Sequence, residues 1–172
     1  AGQVAVKAFV KAFAPGEARL ILKTNTLSQD WRPYPAPFET VNTITSQDKR
    51  WRDVDWRKHI EIRSTILSRT DLFKLYEEID VFVSTSHGEG FCLPGMEAKL
   101  AGRRVVATDS GGVREFIQDG DLLVSGKLGG CAWARMYGWP ENSLWYHFEV
   151  DEIAAALRAS TMLQAPREFC WQ

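Results

Sequence analysis

Two glutamates, Glu89 and Glu97, stand eight residues apart in the stretch His87-Gly-Glu-Gly-Phe-Cys-Leu-Pro-Gly-Met-Glu97. Gly88 and Gly90 suit a turn at positive φ and let main chain approach a ligand closely, while Leu93-Pro94 carries the fixed φ of a first helical turn. Gly102 suits the left-handed cap at the far end of that helix. The N-terminus of such a helix offers unpaired N–H groups and a partial positive charge, so a diphosphate could rest over Phe91 to Pro94. Carboxylates repel phosphate. Glu89 and Glu97, flanking it from different sides, are therefore expected to accept hydrogen bonds from hydroxyl groups. A central diphosphate with hydroxylated groups at both ends describes a nucleotide sugar. Each feature also has an ordinary structural reading: a glutamate near a helix N-terminus complements its dipole, and paired glycines make turns.

The flanking pattern indicates what must hold these residues in place. Val4, Ala5, Ala8, Phe9, Ala12 and Phe13 recur at helical spacing and stop at Pro15-Gly16. Arg19 to Thr24 reads as a buried strand, and Asn25 to about Arg50 as a polar, proline-bearing excursion outside the core. Ile60 to Arg63 alternates, Thr70 to Tyr76 reads as a short helix opened by a capping signal, and Asp80 to Ser84 as a buried strand. After the glycine-rich loop and its helix come a strand at Arg104 to Thr108, a turn at Asp109 to Gly112, and a short helix through Phe116-Ile117. A strand near Leu122 to Val124, an irregular stretch from Gly126 to Asn142, and a closing amphipathic helix from Val150 to Leu163 complete the order. Strands alternating with helices predict an α/β fold, a Rossmann-like parallel sheet with helices on both faces. Ligands of such sheets sit outside the carboxyl ends of the strands. Lys23 to Asn25, Arg63 to Thr65, Ser84 to Phe91 and Thr108 to Gly112 would share that rim, which brings Gly111 and Gly112 towards Glu89.

At 172 residues, 45% of them hydrophobic, the chain suits a single domain spanning residues 1–172. A formal net charge of -1 gives no footprint for nucleic acid or an anionic membrane, so any phosphate site must be local. Three cysteines, Cys92, Cys131 and Cys170, lack CxxC spacing, and their odd number fits a reducing compartment. With no spanning run and no leader pattern, a soluble, cytoplasmic chain is expected.

The continuous stretch from Asp80-Val-Phe-Val-Ser through His-Gly-Glu-Gly-Phe-Cys-Leu-Pro-Gly-Met-Glu-Ala to Ser110-Gly-Gly-Val-Arg-Glu-Phe-Ile117 resembles the donor-binding signature of retaining GT-B glycosyltransferases of the glycosyl-transferase group 1 family, with its Glu-x7-Glu motif. Weaker similarity extends back to Leu20 to Lys23 and forward past Trp145. The resemblance implies the C-terminal, nucleotide-sugar-binding half of a GT-B architecture, part of a longer two-domain chain whose N-terminal acceptor-binding domain is missing. It implies a UDP- or GDP-sugar donor, a metal-independent reaction without cofactor, and no transfer by this domain alone. Glu89 would contact the donor sugar as the catalytic-site carboxylate, not as a nucleophile, and Glu97 the ribose. Backbone N–H groups around Gly90, Phe91, Cys92 and Leu93 would hold the diphosphate, and Arg63 would lie near the base. Cys92 departs from the family's usual glycine, and the Arg and Lys that precede the family's first helix have no counterpart here. Lys23 is the candidate to replace one of those charges, its other reading being a solvated strand end.

Other signals carry less. Asp53-Val-Asp55 spells DxD, but in a Trp/Arg-rich stretch read as a solvated helix or loop. His59, His87 and His147 lack metal-ligand spacing, although His87 adjoins Glu89 and could reach the donor. An ordinary helical conformation is expected at Cys92, since non-glycine residues at positive φ are uncommon, and a helix N-terminus could lower its pKa. The seven tryptophans are expected to cover irregular segments and not to bind sugar by stacking. Two alternatives stand beside the enzyme: a non-catalytic nucleotide-sugar-binding or regulatory module, and another doubly wound nucleotide-binding protein, which leaves the two glutamates unexplained.

Overall fold

Strand β4, Arg104–Thr108, is buried at all five positions, as its Val-Val-Ala centre requires of a central strand, with Arg104 accommodated by the Gly120 and Ser160 carbonyls. In the computed structural model, which describes residues 2–24, 36–136 and 138–163, β4 lies between β3 (Val81–Ser84) and β5 (Leu122–Val124), both parallel to it. A second parallel pair joins β1 (Leu20–Lys23) to β2 (Ile60–Arg63), with Lys23 opposite Arg63. The parallel strands thus fall into two sheets, where a continuous one was expected.

Both faces are covered. Val106 and Val124 pack with Leu20, Leu22 and Ile60 in one core, closed by α1 (Gly2–Ala12) and α5 (Val150–Ser160) through Val6, Phe9, Ile153 and Leu157. Val105 and Ala107, pointing the other way by strand alternation, pack with Cys92, Val113 and Phe116. That second face carries α4 (Leu93–Leu100) and a short 3-10 helix at Gly111–Glu115. α3 (Arg69–Glu78) starts one residue earlier than its predicted core, because Ser68 is the cap and accepts from the Asp71 N–H at 3.1 Å.

Two expectations are corrected. The described part of the segment thought to be an excursion contains α2 (Pro37–Gln47), with Pro37 in its first turn and Val41, Ile44 and Thr45 buried on one face. Thr45 is tolerated there because its hydroxyl donates back to the Val41 carbonyl at 2.9 Å. Residues 25–35 lie outside the described residues. The stretch after Gly126, predicted to be irregular, forms an antiparallel hairpin of β6 (Lys127–Gly130) and β7 (Leu144–His147). Of the tryptophans, Trp51 and Trp56 are core residues, 0% and 5% exposed, and do not cover loops. Trp51 donates its indole N–H to the Phe13 carbonyl at 3.0 Å, just beyond α1.

One ion pair is buried within this frame. Lys99 of α4 meets Asp121, ahead of β5, at 2.8 Å, with side chains 2% and 0% exposed. No described helix is long and apolar enough to cross a membrane.

Candidate active site at the strand rim

The loops that leave β3 and β4 are joined by hydrogen bonds to main-chain carbonyls. Thr108 donates its hydroxyl to the Ser86 carbonyl at 2.5 Å, Ser110 donates to the same oxygen at 3.3 Å, and the Gly112 N–H donates to the Gly90 carbonyl at 3.1 Å. Gly111 has φ +75°, and a Cβ there would fall 1.7 Å from the Glu89 carbonyl oxygen. At Gly112 a Cβ would fall 2.4 Å from the Gly90 carbonyl oxygen. The structure therefore brings Gly111 and Gly112 directly against the Glu89 loop. By contrast, Gly88 and Gly90 are not at positive φ, and nothing lies within 4 Å of a Cβ built on either. Their contribution is open space beside Glu89 and not a special backbone shape.

His87 is held from the other side by β7. Its carbonyl accepts from the Tyr146 N–H at 3.0 Å, and its ring Nδ1 lies 2.7 Å from the Tyr146 carbonyl. A carbonyl oxygen only accepts, so Nδ1 carries a proton. Trp145 stacks on the imidazole with centroids 4.4 Å apart and planes inclined by 23°. These contacts frame a cleft of about 480 Å³. The rim loops contribute His87, Gly88, Glu89 and Gly111, and the hairpin with its connecting turn contributes Leu128, Trp139, Leu144, Trp145 and Tyr146. Trp139 and Trp145 were missed at the sequence level. The signal was the dense aromatic run Trp145-Tyr-His-Phe148, readable as a strand but not as a wall of the site.

Cys92 corrects a second expectation. Its backbone is left-handed, φ 63° and ψ 55°, and it alone among the described non-glycine residues has positive φ. Its side chain is 5% exposed and makes no cap hydrogen bond, so the N-terminus of α4 receives no side-chain acceptor from it. Burial pushes the Cys92 thiol up, the Gly95 N–H and Ser84 oppose it in part, and the Glu89 carboxylate adds the smallest effect, upward. A reactive thiolate is not what this site builds. Alanine normally exceeds glycine in helical stability, but at Cys92 the order should reverse. Cys92→Ala loses the packed sulfur and keeps the left-handed penalty of about 1–2 kcal/mol, which Cys92→Gly relieves. Thermal melting should place Gly above Ala; Ala above Gly would contradict the left-handed assignment.

Further along α4, Glu97 accepts a hydrogen bond from the Tyr76 hydroxyl at 2.9 Å. Burial, reinforced by that carboxylate, pushes the Tyr76 phenol up, so it remains the donor and fixes one Glu97 oxygen. Arg63 closes β2 with its guanidinium engaged by Glu61 and by Glu78, the latter at 2.6 and 2.7 Å. Its carbonyl accepts from the Thr24 N–H at 2.9 Å. Lys23 closes β1 and donates to the Thr24 carbonyl at 2.9 Å. Neither residue lines the Glu89 cleft. Asp53 and Asp55 are exposed, and Asp55 caps a short 3-10 helix by accepting from the Arg57 N–H at 3.3 Å. Among the described residues no three His, Cys, Asp or Glu side chains gather as metal ligands would.

Comparison with known proteins agrees with this geometry. A family model described as glycosyl transferases group 1 matches residues 41–135, more than half of the chain. The D-inositol 3-phosphate glycosyltransferase of Mycobacterium ulcerans (strain Agy99) is 41% identical over 61 residues, 34% of this chain and 13% of that protein. Among solved structures, the UDP-forming α,α-trehalose-phosphate synthase of Burkholderia xenovorans, in complex with glucose-6-phosphate, superposes with a TM-score of 0.65 at 16% identity, covering 95% of this chain and 34% of that one. HepE of Anabaena, in complex with UDP, superposes with a TM-score of 0.58 at 20% identity, covering 92% and 35%. At such identities the likeness shows a shared GT-B-type α/β fold, over about a third of the solved chains. With a family model spanning the rim loops and a fold that puts them at the carboxyl ends of parallel strands, the chain belongs to the glycosyl transferases group 1 family.

Proposed function

We propose that this chain is the nucleotide-sugar-binding domain of a retaining, metal-independent glycosyltransferase acting in the cytoplasm, with a UDP-sugar as donor and a second domain to hold the acceptor. The observation that carries the reading is the course of the Glu89 loop. Glu89 lines a cleft, and the same loop runs on into the N-terminus of α4, which has no side-chain cap, with Glu97 within that helix. UDP is preferred over GDP because the Burkholderia enzyme is UDP-forming and HepE is in complex with UDP.

In this reading the diphosphate lies against the backbone N–H groups of Phe91, Cys92 and Leu93. As the sugar departs, negative charge grows on that diphosphate, and fixed N–H donors at a helix N-terminus stabilise it without reorganising. Glu89 accepts hydroxyls of the sugar and sets its orientation, with His87 beside it. Glu97, oriented by Tyr76, accepts ribose hydroxyls. The Arg63 main chain brackets the base, and Lys23 adds positive charge at the same rim.

Calorimetry in EDTA tests the assignment. UDP and UDP-glucose should both bind without divalent cation. Glu97→Ala should weaken the two alike, by about 1–3 kcal/mol for lost charge-assisted hydrogen bonds, and Glu89→Ala should weaken UDP-glucose alone. Binding that requires Mg²⁺ or Mn²⁺, or equal losses for both ligands in both variants, would overturn the reading.

A further inference from the structure

We propose that the β6–β7 hairpin, with Trp139 in its connecting turn, is a specificity wall that stacks on the ring of a pyranose in the Glu89 cleft. Leu128, Leu144 and Trp139 are 58%, 60% and 49% exposed, and all three line that cleft. A two-stranded hairpin is marginal by itself in water and usually turns its apolar side chains towards a core. Here those side chains line a cleft whose other wall carries a carboxylate.

The polar groups in the cleft narrow what it fits. Glu89 brings a carboxylate acceptor to the lining, with His87 beside it, and among the described residues no lysine or arginine lines the space. An anion would find no cation there. The complementary molecule offers hydroxyl donors along one edge and an apolar C–H surface on one face, which is the chemistry of a pyranose ring. A uracil ring has the flat face but also carbonyl acceptors, for which the Glu89 carboxylate offers no donor.

The wall is preformed. Tyr146 ties β7 to His87 through both its N–H and its carbonyl, and Trp145 lies flat on the same imidazole. Glycines in and just before the facing strand leave room for the rings. A Cβ at Gly126 would meet the Phe148 ring at 2.4 Å, and one at Gly129 the His147 ring at 2.9 Å. Packing of this kind fixes Trp145, His147 and Phe148 before a ligand arrives, so the strand beside the cleft needs little ordering on binding.

The proposal rests on the donor-domain reading only for the source of the sugar, which is the donor's or the acceptor's. The test uses the 172-residue chain and its Trp139→Ala and Trp139→Phe variants, titrated with UDP, UDP-glucose and methyl α-glucopyranoside. Melting temperature serves as the folding control, and Leu128→Ala as a second variant. Trp139→Ala should leave UDP unchanged and weaken a sugar probe by about three- to tenfold, with Phe retaining most of the affinity. A loss on UDP-glucose assigns the donor's ring, and a loss confined to the free glycoside assigns the acceptor's. Equal loss on UDP and UDP-glucose, or no loss on either sugar probe, would overturn the wall. Glycoside binding that depends on Trp139 in a chain that fails to bind UDP would retain the wall and reject the donor domain.

Discussion

Replacing Asp121 by alanine is expected to destabilise the domain by about 3–5 kcal/mol, the usual result of leaving one partner of a buried ion pair behind. The Lys99 ammonium would keep its place with its counter-charge gone, both side chains being almost wholly excluded from water. Asp121 also accepts from the Val105 N–H at 2.7 Å and the Gln118 N–H at 3.0 Å, so the variant orphans three donors. Lys99→Met should cost less, because Asp121 would retain those two backbone bonds. Urea denaturation of both variants measures the order. A loss under about 1 kcal/mol for Asp121→Ala would place the pair in solvent, since surface pairs contribute about that or less. The pair matters to the site because it pins the C-terminal half of α4 to the sheet, and α4 carries Glu97 and begins at the diphosphate position proposed above.

Gly111→Ala is expected to reduce UDP-glucose affinity by about a hundredfold, on the scale of a misplaced binding group. The added Cβ would stand 1.7 Å from the Glu89 carbonyl oxygen and 2.9 Å from its carbon, both main-chain atoms that no rotamer change can move away. At φ +75° alanine also carries the left-handed penalty of about 1–2 kcal/mol. One loop must yield, and Glu89 moves with it. Gly88→Ala is the control: it has open space and no positive φ, so its melting temperature should match that of the unsubstituted chain. Unchanged UDP-glucose binding in Gly111→Ala would show that the Glu89 main chain does not set the sugar site.

Strands with apolar centres were readable from the residues, and Arg104–Thr108 emerges with its expected bounds because each position is buried. The meeting of the loops after β3 and β4 was readable too, since these two strands are parallel neighbours. α2 was hidden by its composition. Three threonines and few apolar residues resemble a loop until Val41 and Ile44 find the core. The hairpin was hidden because its pairing partner lies beyond a turn of more than ten residues, and Gly129-Gly130 looks like punctuation without Trp145 and Leu144 opposite. The left-handed Cys92 ran against a sound local preference, which the packing of its side chain with Val105, Ala107 and Phe116 overrides. The pairing of Tyr76 with Glu97, and of Arg63 with Glu78, joins residues 21 and 15 positions apart, which no local pattern reveals.

Glycines on both sides of Glu89 would ordinarily mean a loop that samples many shapes. Here the main chain is tied at Ser86 by Thr108, at His87 by Tyr146, at Gly88 by the Ser86 hydroxyl, and at Gly90 by the Gly112 N–H. Fixing a residue's backbone costs about 1–2 kcal/mol in conformational entropy, and for this loop that cost falls on folding. A ligand reaching Glu89 need order only the rotors of one side chain, so the flexibility written into Gly-Glu-Gly is spent before the substrate arrives.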